Sequence, residues 1–251
     1  LALLTGKIGR LGCALMPLRG QNNVQGSSDM GALPDTFSAY RSVADEAVAR
    51  SFEERWGVRM KRERGLKMPE MLDGAIAGTV KAMWIVGYDI AQSDPDTAHV
   101  DRALAALDFL VVQEIFENAT SRHADVVLPA ASFLEKSGTF TNAERRIQLV
   151  QAAASLPGAA RTDLDIFCLV AERLGQPLPY AGPEDVMREI AEMTPQFAGV
   201  TYERLGRHGL QWPVAADGSD SPILYAERFP TDDGRCGGSS CRRCSARGAG
   251  R

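Results

Sequence analysis

The fold is decided by a central stretch, residues 82–129, which reads AMWIVGYDIAQSDPDTAHVDRALAALDFLVVQEIFENATSRHADVVLP. It contains three short apolar runs rich in β-branched residues, at 82–86, 109–112 and 126–128. Each run is too short for a helix and is typical of a buried parallel strand. We therefore expect three strands that lie side by side in one sheet.

Helices are expected between these strands. Val100, Leu104 and Leu107 recur at helical spacing after the first strand, and Ser93 or Asp94 would cap that helix. A second helix is expected between the second and third strands. This alternation predicts an α/β protein with a doubly wound, Rossmann-like, mostly parallel sheet and flanking helices.

The sequence on either side of the sheet is largely helical in pattern. Apolar residues at helical spacing predict further helices at 38–56, 69–76, 163–174 and 183–193. Residues 211–230 are rich in Pro, Gly and Asp and are expected to form a loop.

Composition excludes some classes of protein. The net charge of -4 over 251 residues disfavours a nucleic-acid binder. No apolar run approaches the roughly 18 to 20 residues of a membrane helix, and no signal peptide is recognisable, so we expect a cytoplasmic protein without a membrane span. Cys13 and Cys168 stand far apart, which is typical of reduced thiols.

Polar residues follow the predicted strands, where ligands bind in open parallel sheets. Ser93 and the helix after it offer backbone N–H groups suited to a phosphate. Five further residues offer oxygens, an amide or an open backbone suited to a ribose or a purine. They are Gly87, Asp89, Gln113, Glu114 and Asp125, of which Asp125 comes just before the third strand. From the pattern alone, these residues could equally be loop caps that bind no ligand.

A second group of polar residues lies near the start of the chain, where residues 17–26 read PLRGQNNVQG. Arg19, between an apolar pair and a loop of glycines and amides, is suited to planar capture of a small carboxylate. A solvated arginine in a turn is the other interpretation of this composition.

The chain resembles the molybdopterin-dependent formate dehydrogenases over about residues 1–234. Residues 17–26, followed by SDMG at 28–31 and by Pro34, resemble a motif specific to those enzymes. ADVVLP at 124–129 and EKSGTFTNAERRIQ at 135–148 resemble stretches of the wider molybdopterin oxidoreductase family.

The resemblance implies roles for individual residues. Arg19 would orient formate at the metal, and Gln21 would contact the pterin. One guanine dinucleotide arm of a molybdenum or tungsten bis-molybdopterin guanine dinucleotide cofactor would be held by Gly87, Asp89, Ser93, Gln113, Glu114 and Asp125. No residue of this chain matches a metal ligand of the family. The Cys or selenocysteine ligand and the cysteines of a 4Fe-4S cluster are expected upstream.

The resemblance also implies a domain organisation and partners. Residues 1–21 would end one α/β cofactor-binding domain, and residues 22–210 would form the domain that binds the pterin guanine dinucleotide. Within it, residues 128–156 would extend towards the iron–sulfur domain, and residues 211–234 would lead to a missing C-terminal domain. The expected partners are formate, the rest of the catalytic subunit, and iron–sulfur or flavin electron-transfer subunits, with NAD as one acceptor left open. As a fragment, the chain alone would be inactive.

The last residues, 235–251, read RCGGSSCRRCSARGAGR and leave the resemblance. Their three cysteines could suggest a metal site, but a tail of Gly, Ser and Arg has no core to hold one. We expect a disordered, out-of-frame tail.

Two other functions stay open. One is a different molybdopterin oxidoreductase, such as a nitrate reductase or a non-catalytic complex I homologue. The motif that contains Arg19 and Gln21 disfavours this alternative. The other is a nucleotide-binding α/β module without turnover.

Overall fold

The central feature of the computed structural model, which describes residues 1–231 and 233–235, is a three-stranded parallel sheet. Its strands are β1 (Ala82–Val86), β2 (Phe109–Glu114) and β3 (Val126–Pro129), in that spatial order. Trp84 is registered with Val111, and Val111 with Val126. The three predicted strands and the α/β class are confirmed.

Eight α-helices accompany the sheet within the described residues. They are α1 (Val24–Asp29), α2 (Glu46–Trp56), α3 (Met68–Ile76), α4 (Ile90–Ser93), α5 (Thr97–Ala105), α6 (Asp163–Arg173), α7 (Pro183–Met193) and α8 (Tyr202–Leu205). The helices predicted near 69–76, 163–174 and 183–193 are confirmed.

The helix predicted over 38–56 exists only from Glu46 onward. Ala39 and Tyr40 adopt positive φ angles of 57° and 59°, which a right-handed helix cannot accommodate. Asp45 then caps α2, since its side chain accepts the N–H groups of Ala47 and Val48.

The prediction that Ser93 or Asp94 caps the helix after β1 is wrong. Ser93 ends the short helix α4, and Asp94 is extended, as a residue that precedes a proline usually is. Asp96 caps α5 instead, accepting the N–H of His99 at 3.0 Å.

The helix predicted between β2 and β3 is also absent. A single 3-10 turn, Thr120–His123, connects these strands. Eleven residues separate Glu114 from Val126, which leaves room for a turn but not for a long crossover helix.

The main core lies between one face of the sheet and helices α3 and α5. Val100, Ala103, Leu110 and Val112 are at most 1% exposed there. Fully burying one such Val or Leu side chain contributes about 1.5–3 kcal/mol. On the other face, Trp84 meets Phe167 of α6 with ring centroids 5.2 Å apart. Helices therefore flank both faces of the sheet, as predicted.

A second, antiparallel sheet follows the first. It consists of β4 (Gly138–Thr141), β5 (Arg146–Val150) and β6 (Leu210–Gln211). Its core surrounds Ile147 and Phe197, which are both fully buried. The β4–β5 hairpin lies within the predicted excursion at 128–156; its direction towards an iron–sulfur domain stays a prediction.

Among the described helices, none is both long enough and apolar enough to cross a bilayer.

Candidate functional site

The carboxyl ends of β1 and β2 form an open edge of the sheet. Gly87 follows β1 with a φ of 62°, and its N–H donates to the Gln113 carbonyl oxygen at 2.9 Å. A Cβ at Gly87 would meet nothing within 4 Å, so the backbone there is accessible. Ser93 is exposed at the end of α4, and Glu114 is half-buried at the end of β2. The structure therefore brings several of the predicted ligand residues to one region.

Asp89, also at this edge, is engaged within the protein. Its Oδ1 accepts the hydroxyl of Thr120 at 2.6 Å and the N–H of Thr120 at 3.1 Å. Partial burial opposes ionisation, but these bonds and the N–H groups of Ala119 and Gln92 outweigh it and lower the pKa of Asp89. Asp89 thus ties the end of β1 to the connection before β3.

Gln113 is the fully buried polar residue of this edge. Its Nε2 donates to Asp163 Oδ1 at 2.7 Å, and Asp163 also forms an ion pair with Lys136. Gln113 Oε1 has no hydrogen-bond partner among the described residues. A buried acceptor left unpaired costs about 1–3 kcal/mol, so this oxygen is suited to receive a ligand donor.

Asp125 does not belong to this edge, contrary to expectation. It precedes β3, and its Oδ2 accepts the N–H of Leu110, near the start of β2, at 2.7 Å. Leu110 lies three residues before Gln113 in the strand, which places Asp125 about 10 Å towards the amino end of the sheet. In a parallel sheet, residues that precede a strand lie at the opposite end from residues that follow a strand. This rule could have predicted that Asp125 lies away from Gly87 and Gln113.

The loop that carries Arg19 is anchored to the second sheet. Asn23 has a φ of 59°, and its Oδ1 accepts the N–H of Thr141 in β4 at 2.9 Å. A Cβ on Gly26 would clash with the Asn23 side chain and come within 3.2 Å of Thr141 Oγ1. The glycine therefore permits the close packing of α1 on β4.

Arg19 lines a cavity of about 650 Å³. Its Nε and Nη2 both donate to Gln25 Oε1, at 3.3 and 3.2 Å. Gln21 is exposed and makes no side-chain hydrogen bond within the described residues. No residue of the sheet edge lines this cavity. The predicted site residues thus fall into two regions.

A buried acid that the sequence reasoning missed lies behind Arg19. Asp29 is 0% exposed and accepts Gln25 Nε2 at 2.7 Å, the Tyr40 hydroxyl at 2.9 Å and Trp212 Nε1 at 2.7 Å. Burial raises the pKa of Asp29, opposed by these hydrogen bonds and by the charge of Arg19. An acidic residue four positions after Gln25 on a short helix is a local signal for this contact.

Arg145 lines the same cavity from the β4–β5 turn and was also missed as a site residue. Its φ is 67°, its guanidinium donates to the carbonyl oxygens of Trp212 and Ser221, and it lies 5.9 Å from the Trp212 ring centroid. Burial lowers its pKa. Arg145 and Arg19 therefore both contribute to the wall of this cavity.

Among the described residues, no group of three or more His, Cys, Asp or Glu side chains could hold a metal ion. The three cysteines of the tail lie outside the described residues.

Comparisons with known proteins identify a family. The profile of the family described as Molybdopterin oxidoreductase matches residues 1–173. The protein named "Probable oxidoreductase YjgC" of Bacillus subtilis is 48% identical over 94% of this chain and 24% of its own length. The F420-dependent formate dehydrogenase subunit alpha of Methanocaldococcus jannaschii is 47% identical over 94% of this chain and 35% of its own length. This chain therefore spans about a quarter to a third of these relatives.

Among solved structures, acetylene hydratase from Pelobacter acetylenicus matches with a TM-score of 0.47 and 18% identity, over 64% of this chain and 23% of that one.

Proposed function

Because the chain belongs to the molybdopterin oxidoreductase family, we propose that it forms part of the catalytic subunit of a formate dehydrogenase that oxidises formate to carbon dioxide. The support is twofold. The M. jannaschii relative bears that name, and Arg19 stands in a loop that resembles the formate dehydrogenase motif. The observation that carries the proposal is the guanidinium of Arg19, held on Gln25 at the wall of a cavity.

The chemistry of Arg19 suits formate. A guanidinium forms two parallel, charge-assisted hydrogen bonds with a carboxylate, which fixes both oxygens. Arg19 Nη1 has no hydrogen-bond partner among the described residues, so it is available for such a contact. Formate has two oxygens and one C–H bond, and a clamp on the oxygens orients the C–H bond.

The cofactor of this proposal is a molybdenum or tungsten bis-molybdopterin guanine dinucleotide. When bound, its metal centre would accept the two electrons from formate. At the sheet edge, the open backbone of Gly87 and the unpaired Oε1 of Gln113 fit a polar ligand. We propose that these residues, with Ser93 and Glu114, hold one guanine dinucleotide arm, and that Gln21 contacts the pterin.

Asp89 also serves the fold, because its Oδ1 accepts the backbone N–H of Thr120 whether or not a cofactor is bound. We propose that Asp89 contacts the cofactor through its other oxygen. Asp125 accepts the N–H of Leu110 at the opposite end of the sheet and is not proposed as a contact.

The proposed assembly extends beyond this chain. Residues 1–21 would complete one cofactor-binding domain, residues 22–210 would form another, and residues 211–234 would lead to a further domain. A 4Fe-4S cluster bound elsewhere in the subunit would carry the electrons to iron–sulfur or flavin partner subunits, with NAD as a candidate final acceptor. The chain by itself would be inactive.

The experiment that tests the function is formate-dependent reduction of a viologen dye by the full-length protein. Arg19→Ala is expected to lower kcat/KM for formate by about a hundredfold or more, because the positioning clamp is lost. Metal content, measured by mass spectrometry, is expected to stay unchanged. Arg50→Ala is the matched control, since Arg50 pairs with Glu46 on exposed α2.

Two results would contradict the proposal. If the loaded wild-type protein reduced nitrate but did not oxidise formate, the chain would belong to a different enzyme of the family. If Arg19→Ala lost the metal, Arg19 would hold the cofactor and not the substrate.

A further inference from the structure

Arg19 is held by an amide and not by an acid. Both of its hydrogen bonds go to Gln25 Oε1, at 3.3 and 3.2 Å, and it has no ion pair within the described residues. A neutral partner leaves the positive charge of the guanidinium available to an anion, whereas a carboxylate would compete with that anion. The orientation of Arg19 therefore depends on the orientation of Gln25.

The amide of Gln25 can face Arg19 in two ways, and only one is favourable. Its oxygen accepts the guanidinium N–H groups, whereas its NH2 group would place donor against donor. Gln25 Nε2 points the other way, donating to Asp29 Oδ1 at 2.7 Å and to the Tyr40 hydroxyl at 3.2 Å. An acceptor-only carboxylate at Asp29 thus determines which end of the amide meets Arg19.

Asp29 is itself fixed from three sides. It is fully buried, and both of its oxygens accept hydrogen bonds. Tyr40 donates its hydroxyl to Oδ1 at 2.9 Å, and Trp212 donates Nε1 to Oδ2 at 2.7 Å. Hydrogen bonds to an ionised acceptor are stronger than those between neutral groups, so this carboxylate has little freedom to turn.

We infer that Asp29 is a positioning residue for Arg19, acting through Gln25 to set the direction in which the guanidinium meets a small carboxylate substrate. The inference rests on the proposed function, because it takes formate to be that carboxylate. Asp29 contacts neither substrate nor cofactor in this arrangement.

Asp29→Asn is the variant that tests this role. It keeps the shape of the side chain but replaces one acceptor oxygen by a donor NH2 group. If that group faces Gln25, the Gln25 amide turns to accept from it and presents its own NH2 to Arg19. If it faces Trp212, the indole N–H loses its acceptor. Asp35→Asn is the matched control, since Asp35 is exposed and its side chain makes no hydrogen bond or ion pair within the described residues.

The first measurement is the steady-state kinetics of the full-length enzyme. For Asp29→Asn, the KM for formate is expected to rise about tenfold or more, with kcat changing less, because a disoriented guanidinium weakens binding of the anion. Metal content should match that of the wild type. Asp35→Asn should keep the wild-type KM.

The second measurement does not depend on activity. In the 251-residue chain labelled with 15N, the Arg19 Nε–H and Trp212 indole N–H signals are recorded by NMR. Asp29→Asn is expected to shift the Arg19 signal and to speed its exchange with water, whereas Asp35→Asn should leave both signals unchanged. Asp29→Ala, which removes both acceptor oxygens, is recorded beside it, and a purely structural role of Asp29 would move the Trp212 signal alone in both variants.

The outcomes separate the inference from the proposed function. If the wild-type enzyme does not oxidise formate, the proposed function fails, and the Arg19 signal still decides whether Asp29 positions this residue. An unchanged Arg19 signal in both Asp29→Asn and Asp29→Ala overturns the inference. If Asp29→Asn does not fold, Tyr40→Phe replaces it, since Tyr40 is 40% exposed and its hydroxyl contacts both Asp29 and Gln25. A shifted Arg19 signal in Tyr40→Phe supports the inference, and an unchanged one counts against it.

Discussion

At the scale of single residues, the two amide atoms of Gln113 have different surroundings. Nε2 donates to Asp163 at 2.7 Å, whereas Oε1 is buried without a partner among the described residues. An unpaired buried oxygen destabilises the folded chain, and a ligand N–H or O–H group that reached it would relieve this cost. Stability and ligand affinity therefore respond differently when this side chain is changed.

We predict that Gln113→Met changes the free energy of unfolding of the chain by less than about 1.5 kcal/mol, because the volume is similar and removal of the unpaired oxygen offsets the lost hydrogen bond to Asp163. Affinity for GDP, a probe of the guanine dinucleotide arm, should fall by about tenfold, since one hydrogen bond is lost. Urea unfolding and calorimetric titration measure the two quantities. Equal GDP affinity in Gln113→Met and wild type would remove Gln113 from the nucleotide site.

Asp89 provides a second prediction at this scale. Asp89→Ala is expected to reduce the free energy of unfolding by about 1–3 kcal/mol, because it removes the oxygen that accepts two bonds from Thr120. Urea denaturation measures the change. Asp108→Ala, which removes a side chain that makes no hydrogen bond within the described residues, is the control. A loss no larger than that of the control would show that the Thr120 contact contributes little.

The sequence identified most of the residues at the sheet edge but not their partners. Gly87 and Gln113 directly follow short apolar runs, so their position at the ends of two strands could be predicted from the length and spacing of those runs. Asp163 lies 50 positions after Gln113 and Asp29 lies 183 positions before Trp212, and no local pattern connects such pairs. Side-chain networks between distant segments depend on packing that one sequence does not specify.

At the scale of secondary-structure elements, the connector after α2 is fixed by an ion pair. Arg62 contacts Glu53 at 2.9 Å and Glu46 at 3.0 Å, both on α2. The hydrogen bond from Arg62, with a further one from the N–H of Met60, lowers the pKa of Glu53 from 4.5 to about 2. A depressed folded-state pKa stabilises the protein above the unfolded-state pKa, and this contribution is lost as the pH falls through the folded-state value.

We therefore predict that Glu53→Gln lowers the Tm at pH 7 by only about 2 °C, since the ion pair is partly exposed and screened by solvent. The difference from wild type should shrink between pH 4.5 and about 2, where Glu53 becomes protonated. Scanning calorimetry at several pH values measures this trend. Glu54→Gln, at the exposed neighbouring position, should show no such trend; an identical trend in both variants would contradict the role of Glu53.

The α5 helix supports the sheet through a few fully buried side chains. Leu104 is 2% exposed, whereas Leu174, just beyond α6, is 76% exposed. We expect Leu104→Ala to cost about 2–5 kcal/mol of the free energy of unfolding, because it leaves a cavity in the core. Leu174→Ala should cost less than about 0.5 kcal/mol. Guanidinium unfolding of both variants measures the contrast, and equal costs would mean that α5 does not depend on this core.

Element boundaries were harder to predict than the elements themselves. The apolar spacing around Val100 predicts a helix, but Pro95 shifts its start to Asp96. The region around Ala39 has helical spacing in sequence, yet two positive φ angles prevent a helix there. Local backbone geometry overrides a weak periodic signal in both cases.

At the scale of the whole molecule, the sheet face next to α6 is only partly covered. Trp84, Val86, Phe109 and Val126 project on this face, and each is 38–46% exposed. Contiguous exposed apolar groups beside an open strand favour association between chains.

We predict that the isolated chain self-associates with rising concentration and that Val126→Lys reduces this association. A lysine on the exposed face of an edge strand opposes pairing with another chain. Light scattering coupled to size-exclusion chromatography measures the mass. Val58→Lys, at a 48% exposed position away from the sheet, is the control. If both lysine variants reduced association equally, net charge and not the sheet face would be responsible.

The bond between Asp29 and Trp212 joins positions separated by 183 residues. Contacts of such high sequence separation form late, because a long loop must close before they contribute. During synthesis, the segment that carries Arg19 leaves the ribosome well before the indole that holds Asp29. The guanidinium would therefore acquire its final direction only after the segment around Trp212 has folded. A polypeptide that stops before Trp212 would keep its parallel sheet but would leave the direction of Arg19 unfixed.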